Sequence, residues 1–199
     1  VNLDFAANTA TGSWANNDTV LNFEGASGSK NGDDTIRGTD GENLIRGYGG
    51  NDLIETRGGD DEVYDGSGDD TVNLGAGDDY VRAEGGADYY DGGDGNDYIS
   101  YYDSSTGVRL DFAANTASHG WANNDTVLNF EGASGSNTGD DTIEGTDGAN
   151  TIRTYGGDDR LHGKAGDDSL DGGSGNDSLY GASGSDTMKG GSGDDYLDG

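Results

Sequence analysis

GGDGNDYIS, residues 92–100, is one copy of a unit that tiles most of this 199-residue chain. Residues 29–100 divide into eight such nonapeptides without a gap, and residues 136–198 into seven more. Position four is glycine in all fifteen, from Gly32 to Gly193. Position six is Asp34, Asp52, Asp61, Asp70, Asp79, Asp88, Asp97, Asp141, Asp159, Asp168, Asp177, Asp186 or Asp195, and asparagine only at Asn43 and Asn150. Position eight is always apolar, running from Ile36, Ile45 and Ile54 through Tyr90 and Ile99 to Met188 and Leu197. A period held in three registers decides fold and chemistry together.

The glycine-rich six residues of each unit suit a tight turn with positive φ angles. The next three, such as Tyr98, Ile99 and Ser100, alternate outward, inward and outward and predict a very short strand. One such strand cannot bury its single apolar side chain, but stacked strands bury a continuous ladder of them. Nine residues make half a coil, and eighteen complete a coil of two turns and two strands. The expected fold is therefore all-β, a parallel β-roll: a flattened right-handed solenoid of two parallel sheets around a thin aliphatic core.

The chain carries 40 acidic against 10 basic residues, a formal charge of −30, with 29% hydrophobic residues and no proline or cysteine. Such a composition by itself signals disorder. The acids, however, recur at one turn position, so stacking aligns them in columns along both edges of the roll at roughly 5 Å per coil. Columns of like charge that close repel strongly unless a cation lies between them. Hard oxygen donors without a histidine or cysteine cluster point to calcium rather than zinc or copper.

GGDGNDYIS (92–100), GGSGNDSLY (172–180) and GGSGDDYLD (190–198) resemble the RTX nonapeptide GGxGxDxUx of hemolysin-type calcium-binding proteins. The resemblance spans both nonapeptide blocks and implies calcium held between turns eighteen residues apart. It implies that the first turn supplies carbonyls from positions two and four with its position-six aspartate. The second turn supplies carbonyls from positions one and three with its own. One site then comprises Gly75, Gly77 and Asp79 with Gly92, Asp94 and Asp97. Another comprises Gly173, Gly175 and Asp177 with Gly190, Ser192 and Asp195. Paired this way, eight units make six sites and seven make five, about eleven ions in all, which would cut the net charge to about −8. The Asn43–Asp61 and Asn150–Asp168 pairs lack one carboxylate and are expected to bind more weakly.

A longer repeat overlies the short one: residues 3–92 realign on 110–199 at a constant offset of 107. WANNDTVLNFEGASGS, for instance, stands at 14–29 and again at 121–136. This divides the chain into a partial spacer (1–28), a block of eight nonapeptides (29–100), a second spacer (101–135) and a block of seven (136–199). Val108, Leu110 and Phe112 alternate in the second spacer, as does Val127, with Leu128 and Phe130 less regular. The spacer is expected to continue the stack as strands, a surface loop being the alternative. Val1 falls within a spacer and Gly199 opens another nonapeptide, so the chain reads as a segment of a longer array.

Candidate catalytic chemistry is thin. His119 and His162 are replaced by Gly12 and Glu55 in the other copy, and no GxSxG, HExxH or phosphate-loop pattern occurs. The negative charge argues against a nucleic-acid partner, and no membrane-spanning run is present. Tyr80 and Tyr98 are expected to stack on an outer sheet face near Tyr101 and Tyr102, as cross-strand packing or as a sugar platform. Five basic residues at position nine (Arg37, Arg46, Arg82, Arg153, Lys189) relieve repulsion on that acidic surface or contact an anionic polysaccharide. The expected protein is a secreted, calcium-loaded repeat segment, structural or adhesive and not an enzyme; the RTX resemblance implies export by type I secretion. Its expected partners are calcium, extracellular polysaccharide and neighbouring copies of itself. The alternatives are an accessory module of a secreted epimerase, lipase or protease, or a polysaccharide-binding module.

Overall fold

The computed structural model describes residues 2–4, 6–7, 9–11, 18–19 and 24–199; the rest of the 1–28 spacer, Trp14 included, lies outside them. The described residues form strands and turns with no helix, arranged as a sheet of 14 strands facing one of 9. Successive nonapeptides alternate between the sheets. Strands Thr71–Ala76 and Tyr89–Asp94 pair in parallel in the larger sheet, and Tyr80–Arg82 and Tyr98–Ser100 in the smaller. The register is eighteen residues throughout the blocks, as in Val81 opposite Ile99 and Leu161 opposite Leu179. This is the parallel β-roll that the period predicts.

Position eight forms the core. Ile36, Ile45, Ile54, Val63, Val72, Val81, Tyr90 and Ile99 are completely buried, as are Ile143, Leu161 and Leu179 in the second block. At the end of the stack the ladder opens, with Met188 only partly buried and Leu197 43% exposed.

Many strands are longer than the predicted three residues. Leu44–Gly49, Leu53–Gly58 and Thr71–Ala76 each run six, because positions one to three of the next nonapeptide also join the ladder. Alternation then turns position one inward as well, so Thr56, Asp65, Leu74 and Ala83 are fully or almost fully buried.

Residues 101–135 enter both sheets. Asp125–Leu128 stacks parallel on Tyr89–Asp94, and Gly132–Ser134 lies between Tyr98–Ser100 and Thr151–Arg153. Between them the larger sheet takes two more strands, Thr116–Ser118 and Arg109–Asp111. Thr116–Ser118 runs antiparallel to both its neighbours, and Arg109–Asp111 passes the stack on to Thr142–Glu144. Val108, Leu110, Phe112, Val127 and Phe130 are buried here, and the partly buried Trp121 packs against the same core. The larger sheet therefore gains three strands across the spacer where the smaller gains one.

Candidate metal centre

The position-six residues stand in two columns, one on each edge of the roll. Turns entering the larger sheet carry Asp34, Asp52, Asp70 and Asp88, then Asp141, Asp159, Asp177 and Asp195 beyond the spacer. Turns entering the smaller sheet carry Asn43, Asp61, Asp79 and Asp97, then Asn150, Asp168 and Asp186. From Asp52 and Asp61 onward the Oδ1 of each aspartate in a column accepts the backbone N–H of the position-six residue one coil earlier, except that Asp141 takes that of Val108. Asp52 N donates to Asp70 Oδ1 at 2.7 Å, Asp61 N to Asp79 at 2.7 Å, Asp79 N to Asp97 at 2.9 Å and Asp159 N to Asp177 at 2.9 Å. Asp186 and Asp195, half-buried near the end, accept from Asp168 and Asp177 at 3.0 Å each.

One carboxylate oxygen is thus occupied, and the other is not. The Oδ2 atoms of Asp52, Asp61, Asp70, Asp79, Asp97, Asp141, Asp159, Asp168 and Asp177 are buried and have no hydrogen-bond partner. A buried anionic oxygen without a partner is costly, and one repeated along two columns needs a common counter-charge. In the ion-free chain the proton is the competing counter-charge. Burial, reinforced by neighbouring carboxylates, pushes Asp61, Asp70, Asp97 and Asp141 up to about 7 and Asp52 and Asp159 up to about 6.

Carbonyl oxygens complete the donor set. A Cβ placed on Gly93 would stand 2.0 Å from the Gly75 carbonyl oxygen, and one on Gly95 would stand 1.9 Å from that of Gly77. Both carbonyls therefore point at the coil above. Gly173 and Gly175 repeat this beneath Gly191 and Gly193, at 1.9 and 1.8 Å. Gly92 and Gly190 abut the Oδ2 of Asp97 and Asp195, where a Cβ would come within 2.6 and 2.3 Å. Asp94 and Ser192 offer carbonyls that already accept the N–H of Gly77 at 2.9 Å and of Gly175 at 2.8 Å. The carbonyls of Gly75, Gly77, Gly173 and Gly175 thus face the next coil, and the carboxylates of Asp97 and Asp195 lie against their own turns. Carboxylate and carbonyl oxygens around an unpartnered anionic atom fit a hard divalent cation such as calcium.

In two kinds of turn the second side-chain atom of position six already has a partner. Asn43 Oδ1 accepts the N–H of Thr39 at 2.8 Å, and Asn150 does the same with Thr146, while each amide nitrogen reaches the threonine hydroxyl at 3.2 Å. These amides close their own turns. At the spacer, tyrosine hydroxyls take over: Tyr90 donates to Asp88 Oδ2 at 3.1 Å and Tyr101 to Asp125 Oδ2 at 2.8 Å. Tyr101 is completely buried, so it does not join the outer tyrosines as the sequence suggests; its hydroxyl has a carboxylate to reach inside.

Two residues of the columns stand outside the nonapeptides, and a third buried acid, Asp65, sits at position one of its unit. Asp125 accepts the N–H of Asp88 at 2.9 Å, and Glu131 Oε2 that of Asp97 at 3.0 Å, filling position six within the spacer. Asp65 stands where eight of the fifteen units have glycine. The 107-residue repeat places Asp18 and Glu24 opposite Asp125 and Glu131, a signal that marks them as structural. Position-five acids also have a defined part. Asp60, Asp69 and Asp167 accept the N–H of Asp78, Ala87 and Ser185 one coil later at 2.9–3.0 Å, an exposed ladder running opposite to the buried one.

A repeating pair of carboxylate columns with glycine carbonyls between coils defines a solenoid of cation-binding type. The chain matches the RTX calcium-binding nonapeptide repeat in four copies, at residues 30–63, 64–99, 135–170 and 171–199, and belongs to that family. It is a calcium-binding repeat segment. No curated protein sequence matches it.

Proposed function

We propose that this segment is an extracellular structural or adhesive rod that folds when calcium enters the gaps between its coils. The observation that carries this reading is the row of buried, unpartnered Oδ2 atoms. About eleven ions would follow from the pairs counted in the sequence, with Asp79–Asp97 and Asp177–Asp195 as representative sites. Ions that bind only the folded state stabilise it by mass action. Extracellular sites work at roughly 10⁻⁴–10⁻³ M calcium, so the chain would stay unfolded and exportable in a cell and fold outside it. Circular dichroism at pH 7.5 with calcium and with chelator tests this: at that pH β-signal should appear only with calcium. Equal signal and equal melting in both would overturn it.

A second reading, polysaccharide binding, draws on the outer face of the smaller sheet. Tyr80 and Tyr98 stack at 6.0 Å and 12°, and Tyr102 meets Tyr155 edge-on at 4.5 Å. With Arg82 and Arg153 these rings line a groove of ≈ 400 Å³. Aromatic faces suit sugar rings, and guanidinium groups suit their carboxylates. Glycan-array binding in calcium, abolished by Tyr98→Ala together with Tyr155→Ala, would support it; no binding of acidic or neutral glycans would end it.

A further inference from the structure

The gap between the Asp70 and Asp88 turns differs from every other. At position one the remaining units carry glycine, serine, threonine, alanine or leucine, and only this turn carries a carboxylate, Asp65. Asp65 is completely buried. Its Oδ1 accepts the N–H of Gly66 at 2.6 Å and of Glu84 at 3.1 Å, and its Oδ2 accepts the Tyr90 hydroxyl. That hydroxyl lies 3.1 Å from Asp88 Oδ2, so one phenol holds two carboxylates. One oxygen each from Asp65, Asp70 and Asp88 lie within 4.8 Å of one another. The Oδ2 of Asp70, in a residue 2% exposed, has no partner. None of the ion pairs among the described residues involves these three acids.

The chain contains its own comparison. At the offset of 107, Asp70 and Asp88 correspond to Asp177 and Asp195, but Asp65 corresponds to Gly172 and Tyr90 to Leu197. Carboxylate and phenol are present together in the first unit and absent together from the second.

We infer that Asp65, Asp70 and Asp88 form a three-carboxylate calcium site that fills before the others and nucleates the roll. The inference rests on the reading that the gaps bind calcium. Affinity of oxygen sites rises with the number of charged ligands and with rigidity. This gap has three carboxylates where the Asp177–Asp195 gap has two. Tyr90 is a positioning residue: by bridging Asp65 and Asp88 it holds two ligands in place before the ion arrives.

The test is calcium uptake by the full chain in competition with a chelator of intermediate affinity, followed by native mass spectrometry. Wild type should retain one ion about tenfold more tightly than the rest. Asp65→Gly should lose that step and keep the others. Asp65→Gly/Tyr90→Leu, which copies the second unit and leaves neither a buried acid nor a buried phenol unpaired, should do the same and fold in excess calcium. If the double variant keeps the tight step, the triad is overturned, and Asp65 serves only to satisfy the Tyr90 hydroxyl. Uptake by wild type without any tight step also overturns the triad while leaving calcium-driven folding intact. No uptake at all removes both.

Discussion

Asp125 Oδ1 accepts the backbone N–H of Asp88 at 2.9 Å across 37 residues of chain, the same bond that neighbouring coils make across eighteen. The spacer thereby extends one edge of the block, and Glu131 does so on the other edge by accepting the N–H of Asp97 at 3.0 Å. The turn before Glu131 is short: Asn129 and Phe130 alone separate it from strand Asp125–Leu128. A side chain one methylene longer than aspartate makes up the reach.

Glu131→Ala should therefore cost about 1–3 kcal/mol in calcium, since it leaves a buried N–H without its acceptor. Glu131→Gln keeps an acceptor oxygen and should cost clearly less. Chemical denaturation of the two variants measures the difference; equal loss would show that charge, not the bond, matters at this position.

The ion-free chain should become more stable as pH falls. Buried aspartates titrate near 6 to 7 when folded, as for Asp52, Asp61, Asp70 and Asp97, against about 4 in an unfolded chain. The folded state thus binds more protons between about pH 4 and 7, and stability falls as pH rises through that window. With chelator present, β-signal should be greater at pH 5 than at pH 7.5. Calcium must displace the same protons, so its folding midpoint should move to higher concentration as pH drops. A chelated chain less ordered at pH 5 than at 7.5 would contradict the burial of these carboxyls.

Asp97→Ala should weaken calcium-induced folding more than Asn43→Ala. Asp97 contributes a buried free oxygen, whereas the Asn43 amide is spent on Thr39 within its own turn. Calcium titrations followed by circular dichroism rank them, and the reverse order would mean the ligands lie elsewhere.

Glycine at position four is not equally necessary in every turn. Gly95 has φ +149°, and its Cβ would collide with the Gly77 carbonyl oxygen at 1.9 Å, so Gly95→Ala should destabilise by about 2–4 kcal/mol. A Cβ on Gly148 meets nothing nearer than Thr146 Oγ1 at 3.6 Å, so Gly148→Ala should be tolerated within about 0.5 kcal/mol. Thermal melts in calcium decide; equal losses would show that the period, rather than local crowding, selects glycine.

The amino-acid sequence alone determined the roll, its eighteen-residue register, the buried position-eight ladder and the alignment of acids into columns. Each follows from a nine-residue unit that must stack to bury one side chain, so the period carries the whole geometry. Tertiary structure decided what the period does not announce. It turned Asp65 and Tyr101 inward, set position-five acids in an outer hydrogen-bond ladder, and slipped an antiparallel strand, Thr116–Ser118, into a parallel sheet. The Tyr90 hydroxyl that reaches Asp65, the carboxylate that Tyr101 reaches and the N–H groups that Asp125 and Glu131 accept lie 24–37 residues away, outside the eighteen-residue register. Only the packed coils bring such groups within hydrogen-bond reach.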